Sequence, residues 1–141
     1  MRVPNSFGTF FDYSCRNMIV GTEWLIEATG CDEAALRSEA DVRAVLDAVI
    51  TDLGLISIGS IWHKFEGEGG VTGMVALTES HLACHTYPEY GIATFNLYCC
   101  RTRPEWNWEA ELMTRLRAVE VRVVKIDRGS PRAKNAGGSA E

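Results

Sequence analysis

The sequence lacks any apolar run long enough to cross a membrane. A spanning helix needs about 18 consecutive apolar residues, and no stretch of the 141 residues approaches that length. Residues 1–16 also lack the basic start and the apolar segment of a secretory signal. Because both membrane and export signals are missing, the sequence predicts a cytoplasmic protein that does not associate with membranes.

An excess of positive charge is also lacking. Fourteen Lys and Arg residues stand against nineteen Asp and Glu residues, which gives a formal net charge of −5. Nucleic acids and anionic membrane surfaces attract basic proteins, so this balance disfavours both as the main partner. It favours instead a small-molecule ligand that carries positive charge.

The cysteines lack the spacing of a disulfide framework or a zinc ribbon. There are five of them, an odd number, and no two are arranged as C-x-x-C. They are Cys15, Cys31, Cys84, Cys99 and Cys100. In a reducing compartment such residues are typically buried free thiols, and a reactive one among them is a candidate for chemistry.

Hydrophobic periodicity predicts the first helix. Over residues 32–53, apolar side chains recur at intervals of three and four from Val42 to Leu53, as on one face of a helix. Ser38 and Asp41 have the spacing of an N-terminal cap before that stripe, and Gly54 can end the helix in a left-handed conformation. The sequence therefore predicts one long amphipathic helix here.

The remaining pattern is mostly of the β type. Short apolar segments bounded by turn formers predict strands, and a second stripe, containing Trp108 and Leu112, predicts another helix. The predicted strands are 18–28, 55–65, 71–80, 81–87, 91–100 and 119–126, and the second helix is 105–117. This order indicates an α+β fold, a two-layer sandwich of one antiparallel sheet with two helices on one face.

The predicted domain leaves both ends of the chain outside. Residues 1–16 are predicted to form an irregular arm, residues 17–127 the single domain, and residues 128–141 a tail with too little apolar content to pack. Because the helices cover only one face of an apolar sheet, the other face is expected to meet a second sheet. We therefore expect a homodimer.

The densest run of reactive side chains is residues 78–86, followed by Cys99 and Cys100. A metal site from His63, His81, Cys84 and His85 is one interpretation, but Cys84 would point away from the two strand histidines. A Cys–His nucleophilic pair is a second, with a cysteine of this region attacking. A serine hydrolase is excluded because no G-x-S-x-G surrounds Ser80. Taken singly, each residue is more typical of packing than of catalysis.

Taken together, residues 69–100 resemble a known family. The run GGVTGMVALTESHLACHTYPEYGIATFNLYCC is similar to the pyruvoyl-dependent S-adenosylmethionine decarboxylases of bacteria and archaea. The similarity rests on G-V-T-G, E-S-H, H-T-Y-P-E-Y-G and a cysteine twenty residues after Ser80. Weaker similarity extends over residues 21–126. A match of several motifs at matching spacing is far more specific than any one of them.

The resemblance implies that the chain is made as a proenzyme and cleaves itself between Glu79 and Ser80. Ser80 then becomes the covalent pyruvoyl cofactor that forms a Schiff base with the substrate amine. By matching position, His85 is the base that removes the α-proton of Ser80 during cleavage, and Thr72 supports the preceding acyl shift. Ser80 and His85 are an odd number of residues apart, so we expect a bulge or kink between them.

The same resemblance implies the reaction. The product is decarboxylated S-adenosylmethionine, the aminopropyl donor of spermidine and polyamine biosynthesis. Cys100 matches the residue that returns a proton to the substrate carbon, whereas Cys99 is expected to pack on the other face of the strand. Phe65 matches the aromatic side chain that stacks on adenine. No metal is expected to take part.

Departures from the family pattern leave alternatives open. The loop after Phe65 is one residue longer than usual and carries Glu66 and Glu68, carboxylates that suit a distal amine or guanidinium. The first strand, residue 96 and residue 101 also differ from the family. The same pyruvoyl chemistry redirected to ornithine or arginine is therefore the alternative. A non-enzymatic regulatory relative and a thiol-redox or metal-binding protein are further alternatives.

Overall fold

The computed structural model describes residues 2–4, 10–12 and 19–129. The strands are β1 (Arg2–Pro4), β2 (Phe10–Asp12), β3 (Gly21–Thr29), β4 (Ser57–Lys64), β5 (Val71–Leu77), β6 (Ser80–Tyr87), β7 (Ile92–Cys99) and β8 (Glu120–Arg128). The helices are α1 (Glu33–Arg37), α2 (Glu39–Asp52) and α3 (Trp108–Arg115), and a 3₁₀ turn spans Pro88–Tyr90.

Six strands form one antiparallel sheet in the order β4-β5-β6-β7-β3-β8. Side chains alternate across it, as the pleat requires, so every second residue of β5, β6 and β7 is buried. The buried face packs against the helices, with Ile26, Leu82 and Leu97 from the sheet and Leu46 and Leu112 from the helices almost fully enclosed. The predicted α+β fold, an antiparallel sheet covered by helices on one face, is confirmed.

The first predicted helix is interrupted. Ser38 adopts an extended backbone, ends α1 and begins α2, and its Oγ accepts a hydrogen bond from the backbone N–H of Asp41 at 3.2 Å. A second cap begins α1, where Asp32 accepts from the N–H of Ala35. The cap at Ser38 is confirmed, and so is left-handed Gly54 beyond the helix end, with a φ of 62°. The prediction of one continuous helix over residues 32–53 is wrong, because Ser38 serves as a cap instead of an interior residue.

The ends of the chain differ in part from the prediction. Within residues 1–16, predicted to be irregular, β1 and β2 pair as antiparallel strands. At the other end, β8 continues to Arg128, one residue into the segment predicted as a tail. The rest of that tail, from residue 130 onward, lies outside the described residues.

The face of the sheet away from the helices is open in the single chain. Apolar side chains stand on it in cross-strand pairs, Ile61 opposite Met74 and Leu25 opposite Val124. Their exposed fractions run from 38% for Leu25 to 76% for Ile61. An apolar face of this kind is what the expected partner sheet would cover. The homodimer stays a prediction.

Among the described residues, no helix is both long enough and apolar enough to span a bilayer.

Candidate active site

Two of the predicted site residues, Thr72 and His85, meet on the open face of the sheet. Thr72 lies on β5 directly opposite His85 on β6, and the Oγ1 of Thr72 is 3.0 Å from the Nδ1 of His85. Which of the two donates depends on the tautomer of the imidazole. In either case the hydroxyl fixes the orientation of the ring and leaves Nε2 directed away from Thr72. When Nδ1–H donates to the hydroxyl, Nε2 is the nitrogen left to accept a proton, which is what a positioned general base requires.

A cavity of about 390 Å³ opens beside this pair. Phe65 forms one wall with an exposed ring that meets His63 edge to face, at 4.6 Å between ring centroids. The full lining is Phe65, Gly69, Gly70, Thr72, His85, Thr86, Tyr87 and Glu89. The structure therefore brings together three of the predicted site residues, one aromatic and two polar, around one concave space.

The two glycines of the G-V-T-G motif permit the close packing around Thr72. A Cβ on Gly70 would lie 2.0 Å from the carbonyl oxygen of Thr86, so only glycine fits there. A Cβ on Gly73 would lie 2.4 Å from the ring of Trp62. The hydroxyl of Thr86 also accepts from the N–H of Val71 at 2.8 Å, which joins β5 to β6 beside the pair. The motif thus fixes the strand register that sets Thr72 against His85.

Ser80 lies at the other end of β6, on the other face. It is directly opposite Cys99 on β7, and both side chains face the helices. Strand β6 pairs with β7 in uninterrupted register from Ser80 to Tyr87, so the expected bulge or kink between Ser80 and His85 is wrong. At a rise of about 3.3 Å per residue, roughly 17 Å of strand separates the two. A single chain does not bring His85 to Ser80.

The backbone around Ser80 is held by the residue after β7. The carbonyl of Glu79, which precedes Ser80, accepts a hydrogen bond from the N–H of Cys100 at 3.1 Å. Cys100 itself is exposed. This bond polarises the Glu79 carbonyl, the group that a self-cleaving Ser80 would attack.

The thiols of Cys84 and Cys99 are buried. Burial raises the pKa of Cys84 to about 12. Burial also raises the pKa of Cys99, and the hydrogen bond with Ser80 and the charge of Arg103 offset this in part. Both thiols stay protonated near neutral pH, which agrees with the prediction that Cys99 packs inside.

Comparisons with known proteins address the same region. The profile of the family described as "S-adenosylmethionine decarboxylase" matches residues 22–129. The S-adenosylmethionine decarboxylase proenzyme of Archaeoglobus fulgidus is 36% identical over 83 residues, covering 59% of this chain and 73% of that protein. The proenzyme of Methanococcus aeolicus is 33% identical over 113 residues, covering 79% and 95%.

The fold agrees with a solved structure. The crystal structure of the adenosylmethionine decarboxylase from Aquifex aeolicus superimposes with a TM-score of 0.68 at 26% identity, covering 85% of this chain and 98% of that one. The chain belongs to the S-adenosylmethionine decarboxylase family. The family resemblance identified from residues 69–100 is therefore confirmed, and the family match contains every predicted site residue from Phe65 to Cys100.

Two carboxylates predicted to bind substrate lie in the loop between Phe65 and Gly69, which both line the cavity. Glu66 and Glu68 are not among the described residues that line it. Glu68 is almost fully exposed and its carboxylate is 3.9 Å from the guanidinium of Arg37. The ammonium of Lys64 donates to the carbonyl of Gly69 at 2.8 Å and holds the loop closed. The role of Glu66 and Glu68 in binding stays a prediction.

The carboxylate that does line the cavity is Glu89, which sequence reasoning missed. It lies in the 3₁₀ turn Pro88–Tyr90, directly after β6. The available signal was the P-E-Y-G sequence, in which the proline begins the turn and left-handed Gly91 ends it, with a φ of 64°. That turn connects β6 to β7 in the interior of the sheet and leaves Glu89 at the cavity.

A polar network on the open face was also missed. The Nε2 of His81 is 3.1 Å from the Oδ1 of Asn96, and the Nδ2 of Asn96 donates to Glu23 at 2.7 Å. Arg128 forms an ion pair with the same carboxylate. The Asn96 hydrogen bond, followed by Arg128, lowers the pKa of Glu23 although partial burial opposes the shift. The network joins β6, β7, β3 and β8 across the sheet.

The candidate metal ligands do not converge. His81 and His85 are engaged by Asn96 and Thr72, respectively, while the Cys84 side chain is buried on the helix side. Within residues 19–129, no group of three or more His, Cys, Asp or Glu side chains is arranged to hold a metal ion.

Proposed function

We propose that the protein is a self-cleaving, pyruvoyl-dependent decarboxylase of S-adenosylmethionine. The observation that carries this proposal is the Thr72–His85 pair at 3.0 Å in a cavity walled by Phe65. Membership of the S-adenosylmethionine decarboxylase family supplies the reaction. Its product would be the decarboxylated sulfonium compound that donates an aminopropyl group in spermidine synthesis.

Self-cleavage begins at the bond between Glu79 and Ser80. The Oγ of Ser80 attacks the Glu79 carbonyl carbon, the bond to the Ser80 nitrogen breaks, and an ester replaces the amide. The hydrogen bond from the N–H of Cys100 to the Glu79 oxygen favours this attack, because it stabilises the negative charge that develops there. A base then removes the α-proton of Ser80, the Glu79 carboxylate leaves, and water converts the remaining dehydroalanine to a pyruvoyl group and ammonia.

That base is His85, and the geometry favours a second copy of the chain as its source. Within one chain His85 and Ser80 are separated by about 17 Å of regular strand and face opposite sides. The open, apolar face of the sheet carries the Thr72–His85 pair. A homodimer formed through this face would set the Thr72–His85 pair of one copy against the sheet of the other. Because the Ser80 side chain faces the helices, removal of its α-proton then requires the imidazole of the second copy to reach the end of β6.

The decarboxylation uses Ser80 and Cys100 again, together with residues of the cavity. A pyruvoyl group made from Ser80 supplies the electron sink that the loss of carbon dioxide requires. Phe65 presents an exposed ring on which adenine can stack, and Glu89 adds negative charge to the cavity for a sulfonium cation. The exposed thiol of Cys100 returns the proton to the substrate carbon.

The alternative substrates rest on the acidic loop. Ornithine or arginine would need a carboxylate for the distal cation, and Glu66 and Glu68 were the candidates. Phe65, the ring expected to stack on adenine, lines the described cavity, and this supports S-adenosylmethionine as the substrate. A non-enzymatic regulatory relative would be expected to lack at least one of the residues predicted for self-cleavage and catalysis. All of them are present, namely Ser80, His85, Thr72 and Cys100.

The test is the intact mass of the purified protein, followed by release of carbon dioxide from S-adenosylmethionine, ornithine and arginine offered side by side. We expect two chains, the first ending at Glu79 and the second blocked by a pyruvoyl group, with release from S-adenosylmethionine. The variant S80A is expected to stay uncut and inactive. An uncut wild-type chain would overturn the pyruvoyl mechanism, and release only from ornithine or arginine would overturn the substrate.

A further inference from the structure

A small cavity lies on the helix side of the proposed cleavage bond, apart from the cavity that holds Thr72 and His85. Its volume is about 140 Å³, and two arginines line it together with both residues of the bond. The lining is Leu55, Ile56, Thr78, Glu79, Ser80, Arg101 and Arg103. The decarboxylation proposed above assigns no role to either arginine.

Both arginines are placed by contacts to neighbouring structure. Arg101 forms an ion pair through its Nε with the Glu79 side chain. Arg103 is half-buried and donates to the carbonyl of Leu53, at the end of α2, at 3.2 Å. Because a guanidinium has five N–H donors in a planar fork, neither contact uses its full capacity. Two positive groups therefore converge on Glu79 and Ser80.

We infer that Arg101 and Arg103 form a binding site for the α-carboxylate that self-cleavage creates at Glu79. This inference rests on the proposed self-cleavage. In the second step, the base takes the α-proton of Ser80, the electron pair forms the new carbon–carbon double bond, and the bond between the Ser80 β-carbon and its oxygen breaks. The oxygen leaves on Glu79 as a carboxylate, which is one full negative charge next to two guanidinium groups.

The arginines favour this step because they bind the carboxylate product of bond cleavage more strongly than the ester that precedes it. An ester is neutral, whereas the carboxylate is charged and accepts charge-assisted, bidentate hydrogen bonds. An interaction that strengthens toward the transition state raises the rate. The Glu79 side chain competes for Arg101, because it already occupies one donor before cleavage. The Glu79 side chain thus lowers the affinity of this site for the α-carboxylate that cleavage creates on the same residue.

The test follows maturation of freshly synthesised full-length protein by intact mass, with and without hydroxylamine. Hydroxylamine opens an accumulated ester and leaves a hydroxamate at Glu79, which differs in mass from the carboxylate of normal cleavage. We expect R101Q combined with R103Q to slow breakdown of the ester about ten- to hundredfold, so that the hydroxamate appears. R43Q combined with R115Q removes the same two positive charges from exposed ion pairs on helices α2 and α3, and serves as the matched control.

A second variant separates leaving-group stabilisation from a structural role of the ion pair. E79Q removes the competing side-chain charge, so ester breakdown is expected to become faster than in the wild type. If E79Q slowed ester breakdown as the double variant does, the Arg101–Glu79 ion pair would only hold the turn, and the inference would be overturned. Unchanged ester breakdown in the folded double variant would also overturn it while leaving self-cleavage intact. A wild-type chain that never cleaves would overturn the proposed function and this site together.

Discussion

At the scale of single residues, the hydroxyl of Thr72 contacts the imidazole of His85. The hydroxyl is 3.0 Å from Nδ1, so it holds the orientation of the imidazole, and Nε2 is left to take a proton when Nδ1–H is the donor. The adjacent glycines Gly70 and Gly73 set the backbone closely enough for this contact. Thr72 is thus a positioning residue for the imidazole, besides any contact that it makes with the reacting carbonyl.

Two replacements of Thr72 distinguish the contribution of its hydroxyl from that of its β-branched shape. Thr72→Val keeps the β-branched form that suits a strand but removes the hydrogen bond, so maturation should slow about ten- to hundredfold. Thr72→Ser restores the hydroxyl and is expected to stay within a few-fold of the wild-type rate. The measurement is the fraction of cleaved chain against time at several pH values. Equal rates for the two variants would rule out the hydroxyl as the relevant group.

At the scale of secondary structure elements, the predictions succeeded where periodicity is long and failed where one polar side chain decides. The stripe of α2 and the alternation of β5 to β7 follow from burial on one face, which repeats over many residues. The break at Ser38 depends on one hydrogen bond, which competes with a continuous helix. The straight course of β6 was missed because the bulge was inferred from the need to join Ser80 to His85 within one chain.

The cap at Ser38 has a measurable contribution to stability. Its Oγ accepts from the N–H of Asp41, and Ala cannot replace that bond. Ser38→Ala should lower the free energy of unfolding by about 1 kcal/mol, whereas Ser38→Asp should keep most of it because Asp caps equally well. Denaturant unfolding of both variants gives the values. A loss in Ser38→Asp as large as that in Ser38→Ala would contradict the capping role.

The polar network of the open face links four strands and makes stability depend on pH. The Asn96 hydrogen bond, followed by Arg128, holds the pKa of Glu23 below its ordinary value of 4.5. A lowered pKa in the folded state means that the contribution is present above that value and is lost as pH falls through the folded-state pKa. The Tm difference between wild type and Glu23→Gln, measured by calorimetry, should therefore shrink from pH 6 toward pH 3. If the Tm difference between the two proteins stayed constant over this pH range, Glu23 would be excluded as the source of the pH dependence.

At the scale of the whole molecule, the described chain keeps two groups of predicted site residues apart, Thr72 with His85 and Ser80 with Cys100. Sequence similarity predicted Ser80, Thr72, His85 and Cys100 as site residues, because side-chain types at fixed spacing carry the family pattern. It could not assign them to one chain or to two, since that depends on the face to which each strand turns its residues. Ser80 and His85 face opposite sides of an unbroken strand, and the face with His85 is apolar and open.

A mixture of two inactive variants tests whether a second copy completes the site. S80A keeps Thr72 and His85 but cannot cleave, and H85A keeps Ser80 and Cys100 but lacks the base. Each alone should stay uncut. When the two are coexpressed in equal amounts, about half of the H85A chains should mature, which is the share found in mixed dimers under random pairing. A mass difference between the variants identifies the chain that was cut. Maturation of H85A alone would exclude His85 as the base. An uncut mixture of folded dimers would instead place His85 and Ser80 in one chain. Strand β6 would then have to bend during maturation, because its regular register keeps the two residues about 17 Å apart.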